Sequence, residues 1–348
     1  MPLTRRVVLS ALGALTCLGA ASQPLNPALF LPVAASVVRV EAQRVQGGLS
    51  VGSGVTVAPG VVATNCHVVR DAADVRVSGA GAMWGVDAEQ GDPRRDVCFL
   101  RVPGWNGKPV RLARPDAAQL GASVVALGYT GGAAISPRIG SVHALHSFDG
   151  ARVIESDAAF NSGSSGGGLF AEDGTLVGLL AFRLRNSDAG YFTLPVEWVR
   201  GAMPREGDWK PVRPLADARP FWQGDPVSLP FFLRAAALEN ERAWSELLEL
   251  TATWAASVPG DAEPLRARGR ALGELHRPRA AAEAYRAALR IDPHDPVSLY
   301  GLALAYDDSG DRSGSRQTRE RLGALDDELS RSLAQKLALP GHGGTGSE

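Results

Sequence analysis

The hydrophobic periodicity changes once along this chain, and the change divides it into two parts. Over residues 33–203, short apolar runs alternate with turn residues, as in SVVRVEAQ, GSGVTVAPG and TLVGLLAF. Many short strands without long amphipathic helices between them are typical of an all-β barrel or sandwich. After Leu229 the apolar residues recur at helical spacing, and Ala, Leu, Glu and Arg dominate. We therefore predict a multidomain protein with an antiparallel all-β domain followed by an all-α domain.

The segment that separates the two parts is rich in proline. Residues 204–230 contain six prolines among Asp, Arg, Gly and Trp residues. Proline fixes φ and lacks a backbone N–H, so this composition predicts a semi-rigid linker that belongs to neither domain.

Residues 231–330 resemble helical tetratricopeptide repeats. The residues at the characteristic spacings of one repeat are Leu265, Gly269, Leu272, Ala281, Tyr285, Ala288 and Pro293. A second repeat follows, but Ser315 and Arg319 depart from the pattern in its last helix. A generic helical hairpin bundle is the alternative. Since two or three repeats are the lower limit for a solenoid, we expect the helices to cap each other or to dock on the β domain, where they serve to bind a protein partner.

The two ends of the chain predict no folded structure. Arg5 and Arg6 precede an apolar run that ends in small residues, so residues 1–22 predict a signal peptide of the Sec or twin-arginine type. We expect an exported protein, periplasmic or secreted, that contacts the membrane only if this segment stays uncleaved. Residues 340–348 are predicted to be disordered.

The charge balance excludes one class of partner. The chain has 36 basic and 37 acidic residues, which gives no electrostatic basis for binding nucleic acid. After removal of the signal peptide two cysteines remain, Cys66 and Cys98, and an oxidising compartment would permit a disulfide between them.

Three stretches of the β domain carry residues suited to chemistry. They are ATNCHVV with His67, DPRRDVCFLRV with Asp96 and NSGSSGGGLF with Ser165. Alone, a histidine among apolar residues, an aspartate after two arginines or a Gly/Ser run has an ordinary structural explanation. Together they supply a base, a carboxylate to orient it and a hydroxyl, in the chain order of the chymotrypsin arrangement.

These stretches resemble the trypsin-like serine endopeptidases, nearest to the bacterial HtrA (Deg) branch, over about residues 35–200. The matching segments are GSGVTVAPGVVATNCHVV, RRDVCFLRV, ALGY, SPRIGSVHAL and ESDAAFNSGSSGGGLF. The resemblance implies a chymotrypsin-like double β-barrel and a protein or peptide substrate. It implies no cofactor and no metal.

The resemblance assigns roles residue by residue. Ser165 is the expected nucleophile, His67 the general base and then acid, and Asp96 the group that fixes the imidazole tautomer. The backbone N–H groups of Gly163 and Ser165 are the expected oxyanion hole, and Gly163 permits the tight turn. Gly166 and Gly167 are expected to keep the approach clear for the substrate backbone.

The resemblance also implies a substrate pocket and a disulfide. The pocket for the substrate's P1 residue is expected at Ala159 and along Ala181, Phe182 and Arg183; since it holds no acid, we expect small or medium apolar P1 residues. Arg183 is alternatively expected to close part of the pocket. Cys66 precedes the catalytic histidine and Cys98 follows the catalytic aspartate by two residues, so we expect a disulfide that joins the two segments. A zinc site is not expected, since no CxxC spacing or fourth ligand is present.

This chain departs from the family at several positions. Ser164 stands where the HtrA branch usually carries Asn, and Gly168 replaces a common Pro. No PDZ-like β domain follows residue 200, and the predicted helical repeats take its place. These departures put PDZ-type regulation and the rigidity of the serine loop in doubt.

Two alternatives compete with a serine endopeptidase. Gly163 to Gly167 matches the G-x-S-x-G elbow of α/β-hydrolases, but strand-like sequence follows where that elbow requires a helix. The second alternative is a catalytically silent protease-fold protein that serves as a binding or scaffold module of the cell envelope. The presence of all three triad residues favours the enzyme.

Overall fold

The computed structural model describes residues 27–131, 134–184, 190–215 and 219–338. The predicted signal peptide and C-terminal tail lie outside these residues. In the described ranges a β-rich region with three short helices is followed by a helical region.

The described strands all lie between residues 37 and 195. They are β1 (Val37–Arg44), β2 (Leu49–Ala58), β3 (Val61–Thr64), β4 (Ala72–Gly79), β5 (Ala82–Gly85), β6 (Ala88–Asp92), β7 (Val97–Arg101), β8 (Ser123–Thr130), β9 (Ala134–Phe148), β10 (Ala151–Ser156), β11 (Gly168–Ala171), β12 (Leu176–Arg183) and β13 (Tyr191–Pro195).

The described helices lie before, within and after this β region. They are α1 (Pro27–Ala34), α2 (Cys66–Val69), α3 (Val196–Gly201), α4 (Phe231–Asn240), α5 (Trp244–Ser257), α6 (Glu263–Glu274), α7 (Pro278–Ile291), α8 (Pro296–Asp308), α9 (Arg312–Gly323) and α10 (Asp327–Ala338). None of them combines the length and hydrophobicity that a membrane span requires within the described ranges.

The first seven strands form one antiparallel sheet in the order β5-β4-β1-β2-β3-β7-β6. Buried and exposed positions alternate along β4, for example, whose valines at 75 and 77 enter the core. In the described strands β5 and β6 do not pair, so this sheet is not a closed barrel. The free edge of β6 pairs instead with the proline-rich connector (residues 204–230), where Glu89 exchanges two backbone hydrogen bonds with Lys210, at 2.7 and 2.9 Å.

The other six strands close into a barrel in the order β10-β13-β12-β11-β8-β9. Its core is filled by large apolar side chains that are almost inaccessible to solvent, and these include Leu127, Phe170, Leu179 and Leu194. The sequence analysis predicts two β-barrels, whereas the described residues form one closed barrel and one open seven-stranded sheet.

The proline-rich connector lies against the β domain. Leu215 N–H donates to the carbonyl of Arg70 at 2.7 Å, and Phe221 N–H donates to the carbonyl of Arg94 at 2.9 Å. Phe221 is buried in the main hydrophobic core. The prediction that this linker belongs to neither domain missed these contacts, because proline content reports backbone stiffness and not what the chain packs against.

The C-terminal helices stack in sequence, each against the next. Tyr285 of α7 lies between Gly269 of α6 and Gly301 of α8, where an added Cβ atom would collide with its ring. Asp295 caps α8 by accepting from the backbone N–H groups of Val297 and Ser298, each at 3.2 Å. The predicted order of an all-β domain followed by helices is confirmed, while the tetratricopeptide identity of the helices stays a prediction.

The helices dock on the closed barrel through a buried polar contact surrounded by aromatic rings. His146 of β9 binds Glu263 of α6 through Nδ1 at 2.5 Å and Glu155 of β10 through Nε2 at 3.0 Å. Its ring stacks on Phe232 of α4 at 4.4 Å between centroids. Docking on the β domain is one of the two arrangements expected from the small number of repeats.

Candidate active site

Strand register brings the first two predicted residues together. β3 and β7 are antiparallel, with Thr64 opposite Cys98. The residues that follow β3 therefore lie beside those that precede β7. His67 follows β3 on the one-turn helix α2, and Asp96 is the residue immediately before β7.

Asp96 is held in an unusual backbone conformation. Its φ is +60°, a left-handed value that aspartate tolerates better than most residues. Its carbonyl accepts from the side-chain amide of Asn65 at 3.1 Å and from the backbone N–H of Cys66 at 3.3 Å. These contacts fix the turn that carries the carboxylate.

The Asp96 carboxylate is fully buried and both of its oxygens contact His67. Oδ1 accepts from the backbone N–H of His67 at 2.8 Å, and Oδ2 lies 2.7 Å from its Nδ1. Because a carboxylate accepts there, Nδ1 carries the proton and Nε2 of the neutral ring is left as an acceptor. The His67 side chain stays 20% exposed, so the imidazole is accessible.

Cys66 and Cys98 lie on either side of this pair. Their Sγ atoms are at bonding distance and their Cα atoms are 4.9 Å apart, which suits a disulfide. Both residues are buried.

The third predicted residue lies on the loop between β10 and β11. Gly163 has φ +93° and Gly166 has φ +83°, so two left-handed residues flank Ser164 and Ser165 in a tight turn. Ser164 N–H donates to the carbonyl of Asn161 at 3.0 Å, and Gly167 N–H donates to that of Ser164 at 2.8 Å. The Gly/Ser run is thus an ordered turn.

Ser53 of β2 ties this loop to the rest of the site, although the sequence analysis did not select it. Its hydroxyl donates to the Gly163 carbonyl at 2.8 Å and accepts from Tyr129 N–H at 2.8 Å, and its backbone N–H donates to the Ser165 carbonyl at 2.7 Å. Its own carbonyl accepts from the Thr64 hydroxyl at 2.7 Å, three residues before His67. Ser53 therefore links the serine loop to the histidine segment by hydrogen bonds.

The backbone N–H groups of Gly163 and Ser165 are available to bind a ligand. Among the hydrogen bonds formed by the described residues, the N–H groups of Gly163 and Ser165 donate to no protein atom. The preceding carbonyl, that of Ser162, accepts from Gly131 N–H at 2.8 Å, which fixes the 162–163 peptide. Such free, fixed N–H groups are suited to bind a negatively charged oxygen.

The glycines after Ser165 have a different role from the one expected. A Cβ atom on Gly166 would collide with the Ser53 carbonyl and the Thr64 hydroxyl, and one on Gly167 with the Leu127 carbonyl. Both residues are buried against protein. Their small size lets the loop pack on the sheet and barrel, so the expectation that they clear a path for substrate is wrong.

The Ser165 side chain points at β12. Its hydroxyl donates to the Ala181 carbonyl at 3.2 Å, while the adjacent Ser164 hydroxyl is buried and lies 3.2 Å from that of Thr130. The structure thus joins His67 directly to Asp96, and it places Ser165 beside one of the predicted pocket residues. Among the described residues, no hydrogen bond joins the Ser165 hydroxyl to His67.

The other residues predicted to form the substrate pocket differ in exposure. Ala159 is half-buried and Arg183 is exposed. Phe182 is buried in an aromatic cluster, stacked on Phe192 at 4.7 Å. Its ring also stacks on the ring of Trp222 in the connector, with centroids 4.8 Å apart. No local sequence pattern indicated this contact.

No metal centre is found in the part of the chain that the structure describes. There, no group of three or more His, Cys, Asp and Glu side chains is arranged to hold an ion.

Comparison with known proteins adds to this geometry. Residues 52–179 match the family model of the trypsin-like peptidase domain. The chain is 39% identical over 137 residues to a probable periplasmic serine endoprotease, DegP-like, of Ectopseudomonas mendocina, covering 37% of this chain and 29% of that protein. It is 29% identical over 154 residues to the anti-sigma-I factor RsgI9 of Acetivibrio thermocellus, covering 43% of this chain and 22% of that protein.

A solved structure resembles the fold. The active form of the Rv3671c protease from M. tuberculosis superimposes with a TM-score of 0.52 at 25% sequence identity, and the match covers 61% of this chain and 100% of that one. By contrast, the chain spans under a third of the length of either curated relative.

Proposed function

Because the β domain of this chain belongs to the trypsin-like serine endopeptidases of the HtrA branch, we propose that the protein hydrolyses peptide bonds with Ser165, His67 and Asp96 as a catalytic triad. The observation that carries the proposal is the buried Asp96 carboxylate, which binds both the backbone and Nδ1 of His67. That contact leaves the second ring nitrogen of an accessible histidine free to accept a proton.

Acylation follows from these positions. The Ser165 Oγ attacks the substrate carbonyl carbon while His67 Nε2 takes its proton. The Asp96 carboxylate stabilises the imidazolium that forms and does not itself become protonated. His67 then gives the proton to the leaving amine nitrogen as the C–N bond breaks, which leaves an ester on Ser165. Water hydrolyses this ester with His67 acting again as base and then as acid.

The N–H groups of Gly163 and Ser165 bind the oxyanion of the tetrahedral intermediates. Their peptides are fixed before the reaction, because the Ser162 carbonyl accepts from Gly131 N–H and the Ser164 carbonyl accepts from Gly167 N–H, so they need no reorganisation. Removing one such donor in enzymes of this type typically costs about 10²- to 10³-fold in rate.

A disulfide between Cys66 and Cys98 joins the histidine and aspartate segments. Its formation requires an oxidising compartment. This agrees with export to the periplasm or beyond, which the predicted signal peptide and the name of the periplasmic DegP-like relative support.

The helices bind a protein partner or position the substrate in this proposal. This role is supported by the docking of α4 and α6 on the barrel that carries Ser165, because the docking connects the helical region to the β domain. A catalytically silent scaffold protein is the less favoured alternative, because the free N–H pair and the His67–Asp96 contact serve a reaction and not a binding surface.

The experiment is a peptide-library cleavage assay on the purified protein and on two variants of adjacent serines. Wild type should cleave peptides, Ser165→Ala should abolish cleavage, and Ser164→Ala should retain it because that hydroxyl hydrogen-bonds to Thr130 and, among the described residues, to no other group. Equal loss in both variants with the fold intact, or cleavage that survives in Ser165→Ala, contradicts the proposal.

A further inference from the structure

The connector places one aromatic segment directly on the two catalytic segments. Phe221 N–H donates to the carbonyl of Arg94, two residues before Asp96, at 2.9 Å. The Gln223 side chain accepts from Arg70, three residues after His67, at 3.3 Å. Trp222 lies between these two anchors. The backbone at Trp222 is therefore held by hydrogen bonds on both sides.

The indole of Trp222 lies between the catalytic imidazole and β12. Its ring is edge-to-face with His67, with centroids 5.4 Å apart and an interplanar angle of 87°. It also stacks on Phe182, with centroids 4.8 Å apart and an angle of 20°. Phe182 directly follows Ala181, whose carbonyl accepts from the Ser165 hydroxyl. A substrate that leaves Ser165 along β12 must therefore pass this ring.

Packing alone holds the indole in place. Its Nε1 atom is buried and has no hydrogen-bond partner among the described residues. The side chain as a whole is half-buried, so part of the ring is exposed beside the site. Aromatic contacts of this geometry are favourable and keep the ring orientation fixed. The exposed part of the ring is a rigid apolar surface.

We propose that Trp222 is a specificity-determining residue that forms one wall of the substrate cleft. It contacts the P2 residue, which precedes the P1 residue whose carbonyl is attacked. This inference rests on the proposed function and on the P1 pocket expected at Ala159 and Ala181, from which we take the preceding substrate residues to run along β12. The P2 side chain then faces the space between His67 and Phe182, which the indole largely fills. The substrates are therefore peptides with a small apolar residue at P2, since a large side chain meets the ring and a charged one loses its hydration there.

The test is a peptide library that varies only at P2, used on the full-length chain. Trp222→Ala should raise kcat/KM for Leu and Phe at P2 relative to Ala by about 10- to 100-fold, the range that one pocket contact commonly controls. Trp222→Phe loses no hydrogen bond to the described residues, because none of them accepts from Nε1, and should give a smaller change in the same direction. The Trp222→Phe variant tests the proposal on its own if Trp222→Ala fails to fold.

Trp209→Ala is the matched control. Trp209 is a half-buried tryptophan of the same connector, but it packs under the Arg101 guanidinium at 5.5 Å and away from His67. This variant should leave the P2 profile unchanged.

Labelling of Ser165 by a small fluorophosphonate separates the two hypotheses, because that reagent has no P2 residue. An unchanged P2 profile in Trp222→Ala and Trp222→Phe, with labelling and cleavage intact, overturns the role of Trp222. A uniform loss of kcat at every P2 residue also overturns it, since the ring would then only support His67. Absence of both labelling and cleavage in wild type is instead the failure of the proposed function.

Discussion

Two histidines of the β domain each bind carboxylates, yet they are suited to different tasks. His67 uses one ring nitrogen to bind Asp96, and its side chain is 20% exposed. His146 uses both nitrogens, to bind Glu263 and Glu155, and its side chain is 9% exposed. A histidine with one free nitrogen can carry a proton, whereas one with both nitrogens engaged in a buried site is a structural cation. The number of engaged nitrogens, and not the presence of a carboxylate, distinguishes the two sites.

The charge of His146 follows from its surroundings. Burial by itself lowers the pKa of this imidazole, but the charges of Glu263 and Glu155 and their hydrogen bonds outweigh burial and raise the pKa to about 9. At neutral pH the ring is therefore an imidazolium. It joins β9 and β10 of the barrel to α6 of the helical region.

The largest expected effect concerns the catalytic histidine. Asp96→Asn should lower kcat by about 10⁴-fold, because an amide no longer holds Nδ1 in its protonated form and does not stabilise the imidazolium. Steady-state kinetics on a cleaved peptide measure this loss, and thermal unfolding shows whether the variant keeps its fold. A loss below tenfold in a folded variant would remove Asp96 from the triad.

The next largest effect concerns His146 and is a loss in the free energy of unfolding. His146→Leu leaves two carboxylates near each other without their cation, which typically costs about 3–5 kcal/mol when one partner of a buried ion pair is removed. Urea unfolding measures the loss. The matched control is His143→Ala, because His143 is exposed and binds Asp157 at 3.1 Å on the surface, where a pair contributes about 1 kcal/mol or less. Equal losses in the two variants would contradict the comparison.

The proposed disulfide should contribute slightly less to stability. Cys66 and Cys98 are separated by 32 positions. In the chain-entropy model a ring of this size stabilises the fold by about 3–4 kcal/mol. A Cys66→Ala/Cys98→Ala double variant should lose that amount of unfolding free energy in non-reducing buffer. If thiol labelling of the exported wild type finds both cysteines free, there is no disulfide to remove.

The smallest expected effect is the pH dependence of stability between pH 7 and 10. The pKa of His146 in the folded protein lies above its unfolded value of about 6.5. Its contribution is therefore complete below about pH 6.5 and is lost as the pH rises through about 9. The difference in unfolding free energy between wild type and His146→Leu should shrink over this interval. A difference that stays constant to pH 10 would show that His146 is not the cation inferred here.

Sequence predicted the parts of the site that depend on local patterns. His67, Asp96 and Ser165 lie in stretches whose chain order indicates a triad, and strand register brings the first two into contact. The all-β and all-α regions follow from periodicity, which is also a local property. The closing of only one barrel was not predictable, because the sheet edge is occupied by Lys210, more than 100 residues away from β6.

The contacts of His146 and Trp222 could not be predicted for the same physical reason. His146 and Glu263 are 117 positions apart, and Trp222 is 155 positions from His67. No repeat or spacing links such residues, since only the docking of the connector and helices brings them together. The proline-rich composition of the connector predicted a semi-rigid linker that belongs to neither domain.

The central claim is that Ser165 is a nucleophile activated by His67, and mapping the adduct of a fluorophosphonate tests it most directly. After reaction of the wild-type protein, mass spectrometry of its peptides should locate one adduct, on Ser165, and a His67→Ala variant should not react. No adduct on the wild type while trypsin reacts under the same conditions, or an adduct on Ser164, would contradict the claim.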